Sequence, residues 1–474
     1  MTTFSYNPPA MNHSTFVALD LGTSSIKGAV IDLERRCLGQ MRRVPFPQPL
    51  AGQPALFCEI DPAQIVAATR EVLAELLALA PACAGIVVCG QMGGLMLTSA
   101  TGQPRSNYLS WRDQRLLQPA PGGGTYWDQF RQRLSGEARR QLGQELQPGN
   151  PFSLLYWLRQ QGRLLPADAV AAGLPDFVVA HLCGAAPAAD PTLPQGALNL
   201  ETGDWHQAAC ASLGLEGVRW PALRSFSEAV GQVALGGALV PMYAPSGDHQ
   251  CALAGAFIGE RELSLNISTG SQTSLLTQRF EPGDHQTRPF FDGRFLNTIT
   301  HIPAGRALNV LLGLASELAL AQGLPLGDPW PIIQQAVAGV TDGDLAVDLA
   351  FFPSPVGERG AISNIREGNL TLGQLFFGAF RNMADNYHAC ALRLSPEQAW
   401  DRVVFSGGLA QKLERLRELI LDRFACPHRL YEGSEDTLIA LLAQALVIDG
   451  RAPSMAAAVD ALRHQIEPLI EAPG

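Results

Sequence analysis

The alternation of apolar and polar positions repeats itself about half a chain apart. Phe16-Val17-Ala18-Leu19 runs into the polar stretch Asp20-Leu21-Gly22-Thr23-Ser24-Ser25, and Ile26-Lys27-Gly28-Ala29-Val30 follows. This predicts strand, tight turn, strand. Residues 263–275 return the same pattern, with Thr269 standing where Thr23 stands. Ile86-Val87-Val88-Cys89-Gly90-Gln91 is likewise echoed by Val403-Val404-Phe405-Ser406-Gly407-Gly408. Each is a short apolar run that empties into glycine, the mark of a buried strand. Two copies of one α/β unit are expected to set two small-residue hairpins opposite each other, a geometry suited to gripping a phosphate chain from both sides.

Between these strands the spacing predicts helices. Asp61-Pro62 supplies an N-cap and a first-turn proline ahead of an alanine/leucine helix over 63–79. Pro119 to Thr125 predicts a loop, and the Arg/Gln-rich stretch to about Leu146 an exposed helix. The Pro/Gly punctuation of 166–240 predicts an insertion of short elements. Pro245 to Gly255 predicts a turn that starts a small-residue helix, and further helices are expected over 308–322, 372–392, 412–424 and 435–449. The expected domains are 14–256 and 262–474, with 1–14 as a short disordered lead.

The length of 474 residues agrees with two domains. A hydrophobic share of 47% against 16% charged residues is that of a soluble globular protein. No stretch reaches the roughly 20 apolar residues of a membrane span, and 1–14 lacks the apolar core of a secretory signal. A net charge of −10 argues against a nucleic-acid surface. Nine cysteines without a Cys-x-x-Cys pair or zinc spacing fit buried thiols in a reducing cytoplasm.

The first hairpin concentrates candidate chemistry. Gly22 is expected to allow an unusual turn angle, and Thr23, Ser24 and Ser25 crowd the turn with donors for phosphate oxygens. Lys27 would add positive charge, and Asp20 is placed to hold Mg²⁺ through water. An ordinary hairpin with polar turn residues is the plainer alternative. The chain has no G-x-x-x-x-G-K-[ST] loop and no G-x-G-x-x-G after a strand, which removes P-loop and Rossmann sites. Paired hairpins are the remaining route to phosphate.

Six motifs in order then carry a family resemblance. The Asp20 hairpin, Gly90-Gln91-Met92, Trp111-x-Asp113-x-Arg115, Gly247-Asp248-His249-Gln250, the Thr269 hairpin and Ser406-Gly407-Gly408 resemble the FGGY carbohydrate kinases over nearly the whole chain. The resemblance implies α/β architecture, as two ribonuclease-H-like (actin/hexokinase-type) domains, with Mg²⁺·ATP and a sugar in the cleft between them. It implies that Asp248 is the base accepting the sugar hydroxyl proton and that Asp20 sits by metal and phosphates. Capping of the helix at His249 is the structural alternative for Asp248. Nucleotide contacts are implied at Asp20, Gly22, Thr23, Ser24, Lys27, Thr269, Gly270, Gly305, Gly407, Gly408 and Gln411. Acceptor contacts are implied at Gln91, Met92, Trp111, Asp248 and His249, with core packing as the alternative for Met92 and a surface ion pair for Asp113 and Arg115.

Relatives commonly continue Gln-Met-His-Gly, where this chain has Gly93 and so lacks a polar contact. Gly247-Asp248-x-Gln250-Cys251 and Leu265-Asn266-Ile267-Ser268-Thr269 resemble sedoheptulokinases more than xylulose, glycerol or gluconate kinases. The expected activity is therefore ATP-dependent phosphorylation of a ketose such as sedoheptulose. The alternatives are a kinase for another sugar or polyol, an actin- or Hsp70-like nucleotide switch, and a sugar sensor without turnover. A small-molecule sugar is the expected partner, with no nucleic acid or membrane, and a homodimer is compatible with such a kinase.

Overall fold

The computed structural model describes residues 15–163, 169–235, 237–465 and 468–470. The lead expected over 1–14 lies outside the described residues. The chain first forms β1 (Thr15–Leu21), β2 (Ser25–Asp32), β3 (Cys37–Pro45), α1 (Pro62–Leu79), β4 (Ile86–Gly90) and α2 (Leu174–Cys183). Next come β5 (Ala229–Leu235), β6 (Ala238–Tyr243), β7 (Ser246–Gly247), α3 (Asp248–Gly255), β8 (Glu262–Ile267) and β9 (Ser271–Thr277). Then follow β10 (Phe295–Ile302), α4 (Gly305–Ala321), α5 (Leu372–Leu394), β11 (Arg402–Ser406), α6 (Gly408–Lys412), β12 (His428–Leu430) and α7 (Asp436–Ile448).

Two compact units result, and they do not divide the chain at a single point. The first takes the chain up to Phe257, Pro289–Gly293 and everything from Glu435 onward; the second takes Ile258–Arg288 and Arg294–Ser434. The expected second domain of 262–474 is therefore corrected, because α7 packs with the first unit. The reason is local. Gly255 of α3 lies against the start of α7, so closely that a Cβ there would run into the Asp436 carbonyl.

In the first unit the main sheet runs β5-β6-β4-β1-β2-β3, with β7 also paired to β4. β1 is antiparallel to β2 and parallel to β4. All five residues of β4 are buried, as an apolar run in the middle of a covered sheet requires. Helix α1 begins as its sequence predicts, with Pro62 in the first turn and the Asp61 carboxylate accepting the Ala63 N–H at 2.9 Å. It lies close on β2 because Gly28 has no side chain; a Cβ there would stand 2.6 Å from the Ala18 oxygen and from Leu76 Cδ1.

In the second unit a six-stranded sheet contains the order β10-β9-β8-β11-β12. β8 is antiparallel to β9 and parallel to β11, so β10-β9-β8-β11 reproduces β3-β2-β1-β4. The duplicated hairpin-and-strand pattern is thus a duplicated topology. Helix α5 covers this sheet with Phe376, Phe380, Met383 and Tyr387, buried at helical spacing.

Three expectations change. The stretch 166–240 is not merely an insertion, since α2, β5 and β6 belong to the first unit and the two strands extend its main sheet. The exposed helix before Leu146 is two helices, Tyr126–Arg133 and Gly136–Gln141, because Ser135 caps a fresh start by accepting the Ala138 N–H. The helix expected over 412–424 breaks at Leu413 into α6 and Glu414–Phe424. All nine cysteines are free thiols. Among the described residues, no helix is long and apolar enough to cross a membrane.

Asp176, in the first turn of α2, is buried and its Oδ1 has no hydrogen-bond partner. Burial pushes this carboxyl from its ordinary 3.8 up to about 7, against the pull of the Gly173 and Phe177 backbone. Because the folded value is raised, folding takes up a proton from about pH 4 to about 7, so this group's contribution to stability falls across that window and levels off above it. Asp176→Asn keeps the shape and removes the charge. Its stabilising effect is expected to grow through that window and to reach on the order of 1–4 kcal/mol above it. Urea unfolding at low and high pH checks this; a variant no more stable than the parent at high pH contradicts it.

Candidate active site

Strand register assembles the first half of the site. Along β4, Cys89 lies beside Asp20 of β1 on one flank and Ser246 of β7 on the other, and Gly90 lies beside Leu21 and Gly247. The Gly22 turn, Gln91 and Asp248 therefore leave the sheet together, from the carboxyl ends of parallel strands. Such ends are where open α/β sheets bind ligands. The charges of Asp20 and Asp248 both reach the buried Cys89 and Cys251 thiols, adding to the upward push that burial begins.

Asp20 is buried and unusually constrained. Its Oδ2 accepts a 2.7 Å hydrogen bond from Thr437 Oγ1 and lies 3.4 Å from Lys27 Nζ, while Oδ1 has no hydrogen-bond partner. Burial raises its carboxyl above the ordinary range, with Lys27 and the Thr437 hydroxyl pulling the other way. Lys27 in turn donates to Glu435 Oε2 at 2.8 Å, and Arg43 donates to Glu435 Oε1 at 2.9 Å. Burial disfavours the Lys27 ammonium, but Asp20 and Glu435 outweigh it and hold its pKa above the ordinary value. Its charge is therefore shared between two carboxylates.

The glycines play other parts than expected. Gly22 does not take a left-handed angle; it keeps a close approach, since a Cβ would stand 3.1 Å from the Ser25 oxygen. Gly93 and Gly94 do take left-handed angles, with φ of 71° and 72°. A Cβ at Gly93 would meet Trp111 Cβ at 3.1 Å and the Asn150 and Gln195 side-chain oxygens at 3.3 Å. Conformation and space both explain why no side chain stands there.

The acceptor-side candidates reach toward the hairpin. Trp111 Nε1 donates to Thr23 Oγ1 at 3.1 Å, and Gln91 Nε2 donates to the Gly22 oxygen at 3.4 Å. Tyr108 holds the other end of the Gln91 amide, donating to Oε1 at 3.2 Å. Met92 is buried with Ala189 and Leu193, in keeping with packing, and lies against Gly247. Ser24 is exposed at the turn. Asp113 and Arg115 are a buried pair, not surface charges. Arg115 is fully buried, clasps Asp113 through two bonds of 2.8 and 2.7 Å, reaches Glu59 at 2.8 Å and lies 4.2 Å over Phe57.

Asp248 is the first residue of α3, and Gly247 occupies the N-cap. Asp248 is thus in the first turn, where the helix dipole favours a carboxylate, and it is half-exposed while His249 behind it is buried. The other end of the chain braces this turn: Gln444 of α7 donates to Ser246 Oγ at 2.9 Å. Thr437, Glu435 and Gln444 are supports that sequence reasoning did not assign. The acidic pair opening α7 was a visible signal, but nothing local linked it to Lys27.

In the second unit, Asn266 of β8 lies beside Ser406 of β11, the register that Asp20 and Cys89 occupy in the first. Thr269 and Gly270 are exposed at the tip of the turn. The start of α4 holds that turn, with Gly305 N–H donating to the Ser268 oxygen at 3.1 Å and Arg306 N–H to the Thr269 oxygen at 3.0 Å. Gly305 is small of necessity, since a Cβ would lie 2.9 Å from that same Ser268 oxygen. Gly407 turns with φ 89°, and Gly408 opens α6 with free space above it. Gln411 donates to the Tyr431 oxygen at 3.3 Å.

Residues 15–255 match the family profile described as FGGY family of carbohydrate kinases, N-terminal domain. No curated protein matches the chain in sequence. Among solved structures, a ligand-bound xylulose kinase from Lactobacillus acidophilus superposes with a TM-score of 0.81 at 16% identity, over 94% of this chain and 91% of that one. A gluconate kinase from the same organism gives 0.80 at 16% identity, over 94% and 92%. Plasmodium falciparum glycerol kinase with ADP gives 0.81 at 14% identity, over 96% and 94%. At these identities the likeness is one of fold.

Thr437→Val tests the Asp20 bracing. It preserves shape but removes the one hydroxyl bonded to the buried carboxylate, with an expected stability loss of about 1–3 kcal/mol. Denaturant unfolding at neutral pH reads it, and an unchanged midpoint would show that the bond contributes nothing.

Proposed function

Because the chain belongs to the FGGY family of carbohydrate kinases and is an ATP-dependent sugar kinase, we propose that it transfers the γ-phosphoryl group of ATP to a hydroxyl of a ketose such as sedoheptulose, with Asp248 as general base. The observation that carries this reading is the β1, β4 and β7 register, which brings the Asp20 and Asp248 loops to one end of a sheet. Phosphoryl transfer needs one carboxylate by the phosphates and another by the attacking hydroxyl. Asp248, half-exposed and in a helical first turn, suits the second task. It accepts the hydroxyl proton as the oxygen attacks phosphorus.

Asp20 suits the first. Its Oδ1, buried without a hydrogen-bond partner, fits an Mg²⁺-bound water. Bound Mg²⁺ would neutralise charge on the phosphate oxygens. Lys27 and Glu435 orient Asp20 in this reading, and Thr23, Ser24 and the Gly22 backbone offer donors to phosphate. From the second unit, Thr269, Gly270, Gly305, Gly407, Gly408 and Gln411 are the proposed nucleotide residues. Gln91, Met92, Trp111, Asp248 and His249 are the proposed acceptor residues.

One feature supports a neutral ketose: the stretches Gly247 to Cys251 and Leu265 to Thr269 resemble sedoheptulokinases.

ADP release from Mg²⁺·ATP against ketoses, aldoses, polyols and aldonates is the test. Sedoheptulose is expected to give the highest kcat/KM. Another ketose or a polyol would overturn the substrate and leave the mechanism standing. Asp248→Asn is expected to lower kcat by about 10²–10⁴-fold, with sugar and nucleotide binding within a few-fold of the parent. Asp20→Asn is expected to act mainly on Mg²⁺·ATP use. Turnover that survives Asp248→Asn would remove Asp248 as the base.

A further inference from the structure

Gly93 leaves a space without a side chain of its own, and two amide oxygens face it. Asn150 Oδ1 and Gln195 Oε1 each lie 3.3 Å from the position that a Cβ at Gly93 would take. Neither amide is free to turn. Asn150 Nδ2 donates to the Glu145 backbone oxygen at 2.8 Å, and Gln195 Nε2 donates to Glu145 Oε2 at 2.7 Å. A carbonyl and a carboxylate only accept, so each amide nitrogen is held on Glu145 and each oxygen is left for Gly93. Among the described residues neither oxygen takes a hydrogen bond. Asn150 is 3% exposed, and an acceptor on so buried a side chain calls for a donor.

Backbone contacts hold the arrangement in place. Gly196 has φ 62°, and a Cβ there would stand 2.1 Å from the Glu145 oxygen, so glycine is what lets the Gln195 loop seat on Glu145. Gly94 N–H donates to the Gly149 oxygen at 2.8 Å, which ties the Gly93 turn to Asn150. In the Gln195 loop, Thr192 Oγ1 accepts from Gly247 N–H at 3.2 Å, one residue before Asp248. Gly93 and Gln195 line one cavity with the half-buried Trp205 and Trp220, whose rings stack at 4.6 Å. Its water-sized space is about 20 Å³, room for one hydroxyl-sized group.

We propose that Asn150 and Gln195 together read a hydroxyl of the sugar, and that Glu145 is the positioning residue that sets them. This role rests on the sugar-kinase reading of the site and names the group that site recognises. The polar contact missing at Gly93 is supplied from two other segments of the chain. Oxygens that only accept, beside aromatic faces that cover carbon, suit the hydroxymethyl end of a neutral sugar. A sugar carboxylate has no proton to donate and would set its charge against both oxygens.

Calorimetric titration of the full chain with sedoheptulose, xylulose, fructose, ribitol and gluconate, alongside ADP release, tests this. At least one neutral compound is expected to bind the parent more tightly than gluconate. Gln195→Met keeps the length of the side chain and removes its amide. It is expected to weaken neutral-sugar binding by ~10-fold or more, with the loss in KM rather than kcat and with Mg²⁺·ATP binding within a few-fold of the parent. Glu145→Gln lets the amide at 195 turn its nitrogen toward Gly93. The ratio of gluconate to neutral-sugar affinity is then expected to rise by ~10-fold, a change of preference that a merely structural role would not produce. Neutral-sugar binding that is unchanged in Gln195→Met overturns the proposal. So does a parent that binds none of these compounds, or a Gln195→Met chain that loses Mg²⁺·ATP binding equally. A sugar that binds without turnover, and binds more weakly to Gln195→Met, would sink the kinase reading and support this one.

Discussion

The arrangement depends on the buried charges of Asp20, Lys27 and Glu435, which join the two ends of the chain. Asp20 lies in the first strand, and its neighbours Thr437 and Glu435 lie more than 400 residues later. A buried carboxylate is tolerated only where opposite charge and hydrogen bonds offset its lost hydration. Lys27 serves Asp20 and Glu435 at once, and Arg43 completes the coordination of Glu435. Removing Lys27 would leave Asp20 and Glu435 buried without their shared counter-charge, which typically costs about 3–5 kcal/mol. The first hairpin is consequently finished by α7 and its cap. The first unit acquires its final form only when residues from Glu435 onward have docked.

The second copy of the hairpin carries a neutral pair where the first carries an ionic one. Asp20 pairs with Lys27 across β1 and β2, while at the same register Asn266 pairs with Gln272 across β8 and β9. Both are polar pairs beside a turn of small residues, but one is ionic and the other neutral. The neutral copy requires no counter-ion from a distant helix. Its turn is held locally instead, by the backbone of α4 and by Ser271 bonded to Tyr387 at 2.6 Å. One topology thus supplies a charged hairpin and an uncharged one.

Local signals made much of this legible in the sequence. The hairpins, the glycine exits of β4 and β11 and the Asp61-Pro62 helix start each follow from neighbouring residues. What could not be read were contacts set by long-range docking. Arg115 looks like a surface charge in sequence, and only the converging side chains of Glu59, Phe57 and Trp157 make it a core residue. Lys27 shows no partner in the sequence, and the structure brings Glu435 to it from the far end of the chain. Gly22 resembles a turn glycine, but the left-handed angles fall at Gly93 and Gly94. The boundary of the second domain failed for the same reason, because α7 has the composition of any buried helix and nothing in it names its partner.

The two consecutive left-handed glycines bear on acceptor recognition. A side chain at Gly93 would be strained by its backbone and crowded by Trp111, Asn150 and Gln195. The polar contact that relatives are expected to make from this position therefore cannot be restored by a simple substitution. Its neighbours already have defined partners: Trp111 is bonded to Thr23 and Gln91 to the Gly22 backbone. These bonds run from the acceptor-side residues to the turn that offers donors to phosphate. A shift of Trp111 or Gln91 would therefore disturb that turn, which would couple the proposed acceptor residues to the proposed phosphate donors within the first unit.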